Sequence, residues 1–301
     1  MKKLMSCVFL KHQRQHSLRM LILFFITLVI FAGFGIMTPV FGQTDVNIIL
    51  LHHSTGDNLY NEGGVEAWFA NYNSTHGTNY QITERWYPNY PYYSDSENYP
   101  YDYWHLWVDP SYNTQTEPGQ ESLDYLTQTT GEHPRYDVII FKHCFPGADI
   151  SPDTGYPDVA SSIKSLENYK LQYRALREKF ATYPNTKFIV WTLVPLHRLA
   201  TDTTTAARAK QFVDWVKHTW LTECGHNHSN ISIFDFWGYA AESNPTPPQG
   251  QVNTLRYIYE RGHDDSDSHP NLPANQTIGP IFSQFVVQVI TENQAHLLWT
   301  K

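Results

Sequence analysis

The chain has 301 residues, enough for one large domain, and a formal net charge of −8. Its first 42 residues hold five of the 21 basic residues and none of the 29 acidic ones, so the remainder stands at 16 basic against 29 acidic, a net −13. That balance lacks the basic footprint of a nucleic-acid binder, which excludes such a partner and leaves neutral or cationic ones.

Residues 1–42 differ from the rest. Lys2, Lys3, Lys11, Arg14 and Arg19 precede an uncharged run over 20–37, and the chain then reaches Pro39, Val40, Phe41 and Gly42. A positive leader, an apolar segment and small residues near its end read as an export signal cut after Gly42 or, uncleaved, as a membrane anchor. Either way residues 43–301 are expected outside the cytoplasm, because the positive flank stays inside.

The first strand is predicted over residues 46–51, an apolar run that stops at a polar turn holding Ser54, Gly56 and Asn58, with a helix start after it. Residues 80–87 alternate β-branched and aromatic with polar side chains, the pattern of a second strand. Residues 88–110 are dense in Tyr and Trp, including Tyr90, Tyr92, Tyr93, Tyr103 and Trp107. Pro91 and Pro100 oppose a regular helix there, so a long ordered loop is expected, its rings fastened to the core or stacked on sugar faces. Strands follow over 136–141, 187–194 and 230–236. Helices are predicted over 158–180, with Ile163, Leu166, Tyr169, Tyr173, Leu176 and Phe180 on one face, over 203–220, and over 277–298. This alternation predicts an α/β fold, a three-layer α/β/α sandwich on a mostly parallel sheet, as one domain over 43–301. Of the exported cysteines, Cys144 follows a strand and Cys224 precedes one, which puts them at opposite sheet edges, too far apart to bridge.

Ser54 follows a buried strand, where an α/β fold presents a nucleophile to the carboxyl edge of its sheet, and Asp267-Ser268-His269-Pro270-Asn271 near the other end supplies a base. His226 and His228 lack a third metal ligand at convincing spacing and read as a surface loop; the acidic run 264–267 does not complete a calcium-loop signature. No metal or cofactor is expected.

The segments His52-His53-Ser54-Thr55-Gly56-Asp57-Asn58, Tyr101-Asp102-Tyr103-Trp104-His105-Leu106-Trp107, Val138 to Pro146, Phe188 to Leu196, Ala206 to Ala209 and Asp267 to Asn271 together resemble the SGNH or GDSL-like hydrolases, and more closely a divergent bacterial branch. The resemblance implies the three-layer fold and a serine acting on esters, with Ser54 matching the nucleophile and His269 the catalytic histidine. The family's aspartate three positions before the histidine is Ser266 here; the branch pattern favours Asp267, with Asp265 the alternative. The family's oxyanion glycine and asparagine have no secure counterparts, which leaves the Ser54 amide with Asn58, Lys142 and His143 as candidate donors. Each has a plainer role, as a turn cap, an ion-pair partner and a packing group. Cys144 reads as a small buried residue. The implied function is hydrolysis of carboxylic esters, with acylated carbohydrate as preferred substrate; a noncatalytic glycan-binding protein and a carbohydrate O-acyltransferase are the alternatives on the same scaffold.

Overall fold

The computed structural model describes residues 45–88, 97–111, 122–223, 225 and 228–299, with side chains as far as residue 292. The leader 1–42, Cys224, His226 and the aromatic positions 90, 92 and 93 lie outside these residues.

Five strands, β1 (Asp45–His52), β2 (Asn79–Trp86), β3 (Val138–Phe141), β4 (Lys187–Trp191) and β5 (Ile231–Phe234), form one sheet in the order β2-β1-β3-β4-β5. Every neighbouring pair is parallel, and the order is the one typical of SGNH/GDSL hydrolases. The helices are α1 (Ser54–Glu62), α2 (Val65–His76), α3 (Pro100–Trp107), α4 (Leu123–Leu126), α5 (Leu166–Ala181), α6 (Thr203–Trp215), α7 (Phe236–Ala240) and α8 (Leu272–Trp299). From β1 the chain steps one way to β2 and later the other way through β3, β4 and β5, so right-handed crossovers put their helices on opposite faces. Ile48, Leu50, Val138, Ile140 and Ile189 pack with residues of α1, α2, α7 and α8; Ile49, Leu51, Ile139, Phe141 and Val190 pack with residues of α3 to α6. With both faces covered, the central strands are apolar throughout rather than alternating. The reversal between β1 and β3 opens a crevice at their carboxyl ends, the place where such sheets hold their ligands.

Several elements differ from expectation. Within 88–110, α3 is regular helix: Pro100 sits at its first position, where no amide hydrogen is needed, and Asp102 Oδ2 accepts the Tyr99 amide at 3.0 Å. α2 had no predicted counterpart; it buries only Val65 and Phe69 and is bounded by Gly64 and Gly77, both left-handed at φ 65° and 64°. α5 begins after its cap Ser165, so Ile163 falls outside the helix and is 51% exposed. The helix over 203–220 is continuous but widens to a π-turn at Val216–Trp220. Cys144 is a free, buried thiol.

Membrane anchorage is corrected. Among the described residues no helix is long and apolar enough to cross a membrane. Even α8, at 28 residues, carries Asn275, Gln276, Thr277, Ser283, Gln284 and Gln288, against the unbroken apolar length that a span requires.

Candidate active site

β1 delivers the chain to His53, whose extended backbone (φ −113°, ψ −169°) turns directly into α1. The His53 carbonyl accepts the amides of Gly56 at 2.8 Å and Asp57 at 3.3 Å, which places Ser54 at the first helical position with its amide unengaged among the described residues. The helix sits unusually close to the sheet. A Cβ on Gly56 would lie 2.3 Å from His52 Cβ and 3.1 Å from Lys142 Cδ, so only glycine lets this turn rest on the ends of β1 and β3.

The loop after Glu260 brings the second half of the site. Asn271 caps α8 by accepting the Ala274 amide at 3.1 Å and ties the loop back by donating to the carbonyls of Ile258 at 2.9 Å and Glu260 at 3.0 Å. Ser268 is buried, and its Oγ accepts the His197 amide at 2.9 Å. Glu260, with a fully buried carboxylate, pairs with His263 Nδ1 at 2.8 Å and with His197 Nε2 and Arg198 Nε, each at 3.1 Å. Glu62 at the end of α1 meets Arg261 at 2.7 Å and Asn275 at 2.6 Å, and just beyond it Gly63 touches Gly279, where any Cβ would come within 2.5 Å of the Gly63 oxygen. The helix that starts with Ser54 and the helix that follows His269 are thus fixed to each other.

The result is a continuous contact at the carboxyl edge. Ser54 Oγ donates to His269 Nε2 at 2.7 Å, and His269 Nδ1 donates to Asp267 Oδ1 at 2.5 Å. The same oxygen accepts the His269 amide at 3.0 Å, an Asx turn that lets an aspartate only two positions away reach its own histidine. Burial pushes the Asp267 carboxyl up, but hydrogen bonds from the His269 amide and ring, with the charges of His269 and Arg261, outweigh it and hold the group below the usual carboxylate range. Phe145 lies edge-on to the His269 ring at 5.0 Å.

Behind the serine is a second polar row. Cys144 Sγ lies 3.6 Å from Ser54 Oγ and 3.4 Å from Thr55 Oγ1, and Lys142 Nζ donates to Thr55 Oγ1 at 2.7 Å. Burial brings the Lys142 ammonium down to about 8. Burial also pushes the Cys144 thiol up, but Lys142 and the hydrogen bonds of Thr55 and Ser54 draw it below its ordinary range. Beside the serine, the His53 ring stacks on Trp86 with centroids 4.6 Å apart and donates from Nε2 to the Pro88 carbonyl at 3.1 Å; burial holds its imidazole down to about 4.

The structure therefore brings Ser54, His269 and Asp267 together and separates the other candidates. Asp265 spends its carboxylate on the Asp267 amide at 2.9 Å and does not meet His269. Asn58, one turn after Ser54 on the same face of α1, is half-buried, and its side chain makes no hydrogen bond among the described residues. Two oxyanion candidates point elsewhere. His143 points to the opposite face of the sheet and bonds Tyr173 Oη at 2.6 Å, with its ring held down to about 3 by burial. Lys142 turns under α1 to Thr55 rather than toward the open side of Ser54. The contacts of Thr55, Cys144 and Phe145 were missed from sequence. Strand parity was the available signal for Lys142, since it shares the face of Val138 and Ile140. Among the described residues no group of three His, Cys, Asp or Glu side chains is placed to hold a metal ion.

No family model matches the sequence, and no curated protein does. Among solved structures, an acetyl xylan esterase is similar at a TM-score of 0.47 and 14% identity, over 79% of this chain and 99% of that one. A second, described as a carbohydrate esterase whose active site displays divergent catalytic and non-catalytic binding functions, is similar at a TM-score of 0.35 and 11% identity, over 81% of this chain and 65% of that one. At such identities and TM-scores neither likeness says what this chain acts on.

Proposed function

We propose that the protein is a serine esterase that removes O-acyl groups from carbohydrate, acting outside the cytoplasm after export by residues 1–42. The observation that carries the reading is the Ser54–His269–Asp267 contact at the sheet's switch point. Ser54 Oγ attacks the ester carbonyl as His269 Nε2 takes its proton, and Asp267 holds the proton on Nδ1 and steadies the imidazolium. The proton then passes to the leaving alkoxide, and His269 activates water to free the acyl group. The Ser54 amide and the positive end of α1, with Asn58 one turn on, supply the donors for the oxyanion.

The carbohydrate assignment rests on Trp86, an indole at the end of β2 that is 44% exposed although His53, next to the nucleophile, stacks on it. An exposed ring beside a nucleophile offers a face for a sugar ring. Purified protein should release acid from acetylated oligosaccharides as well as from a small aryl acetate. Trp86→Ala should raise KM for the oligosaccharide by about fivefold, the loss of about 1 kcal/mol of stacking. An equal rise with the aryl ester would remove the sugar-stacking role, and glycan binding without acyl release would replace the esterase by a binding protein.

A further inference from the structure

The mechanism above does not use Lys142, yet this residue is fully buried at 0% exposure, and the single hydrogen bond of its ammonium among the described residues is to a neutral hydroxyl. The titratable and charged groups around it do not explain its burial. His52 from β1 and His53 at the start of α1 are held down to about 4 by burial, and His143 beside it to about 3, so these rings are uncharged at neutral pH, and an imidazole supplies no negative charge in either state. Cys144 favours the Lys142 charge only when ionised; while it keeps its proton it offers the ammonium no negative charge, and Asp57 acts on His52 rather than on Lys142. A buried ammonium with one neutral partner is a net cost to folding, which points to a use elsewhere.

We propose that Lys142 is a positioning residue for Ser54: it heads a one-directional chain of hydrogen bonds that keeps the Ser54 hydroxyl proton aimed at His269. The proposal rests on the serine-esterase reading. An ammonium can only donate, so Thr55 Oγ1 accepts from it at 2.7 Å and must send its own proton onward. The acceptor in reach is Cys144 Sγ at 3.4 Å. The Cys144 thiol, while it keeps its proton, then donates to Ser54 Oγ at 3.6 Å, which leaves the serine proton for His269 Nε2 at 2.7 Å. His269 donates its Nδ1–H to Asp267 Oδ1 at 2.5 Å and keeps that proton, and an ionised carboxylate only accepts. The cation at one end and the anion at the other fix the same direction through every hydroxyl and thiol between them. Without Lys142, Thr55 and Cys144 are free to reverse, and the serine proton can turn to the sulfur and away from its base.

The test uses the intact protein and a fluorophosphonate probe, with labelling of Ser54 followed by mass spectrometry. Wild type should label and Ser54→Ala should not; an unlabelled wild type would sink the serine-esterase reading itself. Lys142→Met and Thr55→Val should each slow labelling by about 10- to 50-fold, and the double variant should be no slower than the slower single one, because both break one chain. Lys142→Met should melt at or above the wild-type temperature, as expected when an uncompensated ammonium leaves the interior. Cys144→Ala should slow labelling, and Cys144→Ser, which restores a donor and an acceptor, should recover most of that loss. With wild type active, labelling of Lys142→Met within about twofold of wild type, multiplied effects in the double variant, or a lower melting temperature for Lys142→Met would each overturn the chain.

Discussion

Replacing Ser54 with alanine should lower the hydrolysis of an aryl ester by about 10⁴- to 10⁶-fold, with His269→Ala close behind and the double variant no worse than either. The two act as a unit, since a hydroxyl without its base is a poor nucleophile and a base without its hydroxyl has nothing to activate. The fold should survive both changes. Ser54 is half-buried and among the described residues its hydroxyl reaches only His269 and Cys144, while the backbone at His269 is held by the Asp267 carboxylate and the packed Ser268. Initial rates and thermal melting on the same samples decide the matter: activity above a tenth of wild type in a folded Ser54→Ala variant would exclude this serine as the nucleophile.

Asp267→Asn should cost about 10³- to 10⁴-fold in kcat with little change in KM, because an amide keeps the shape but no longer fixes the imidazole tautomer or balances its charge. Asp265→Asn should cost far less, since among the described residues that carboxylate bonds the Asp267 amide and not His269. Comparable losses at the two positions would mean that the loop, rather than the acid, had been disturbed. The pH dependence follows from the sign of the shift. Asp267 is held below the usual carboxylate range, so its contribution to stability is full above that range and is lost only as pH falls through the depressed folded value.

Much of this architecture was legible because buried parallel strands have no solvent face. The apolar runs of β1, β3 and β4 announce their burial, and Ser54 stands just beyond the first of them, whereas β4 ends at Trp191 although its apolar run continues to Val194. What escaped depended on position rather than composition. Pro100 breaks a helix interior but starts α3, and the same residue type carries either meaning until the neighbouring cap at Tyr99 and Asp102 is known. α2 showed no stripe because only Val65 and Phe69 enter the core. Ile163 matched the spacing of α5 but lies before its cap. In the site, Asp267 and His269 were found as neighbours in sequence, whereas the fates of Lys142 and His143 depended on whether polar groups at a strand end turn outward or fold back. Both fold back, on opposite faces of the sheet, each to a hydroxyl that no local pattern marks: Thr55 for one and Tyr173 for the other.

The glycine contact between α1 and α8 also bears on how the chain reaches its working state. Ser54 and His269 are 215 residues apart, and the helices that fix their separation meet through Gly63 and Gly279. Contacts of such long range form late, after the loop-closure entropy of the intervening chain has been overcome. A refolding intermediate with the sheet and most helices in place but α8 undocked would be compact and catalytically mute. Recovered activity should therefore trail recovered helical signal in a refolding experiment, and bulk added at Gly279 should widen that delay by slowing the final docking step.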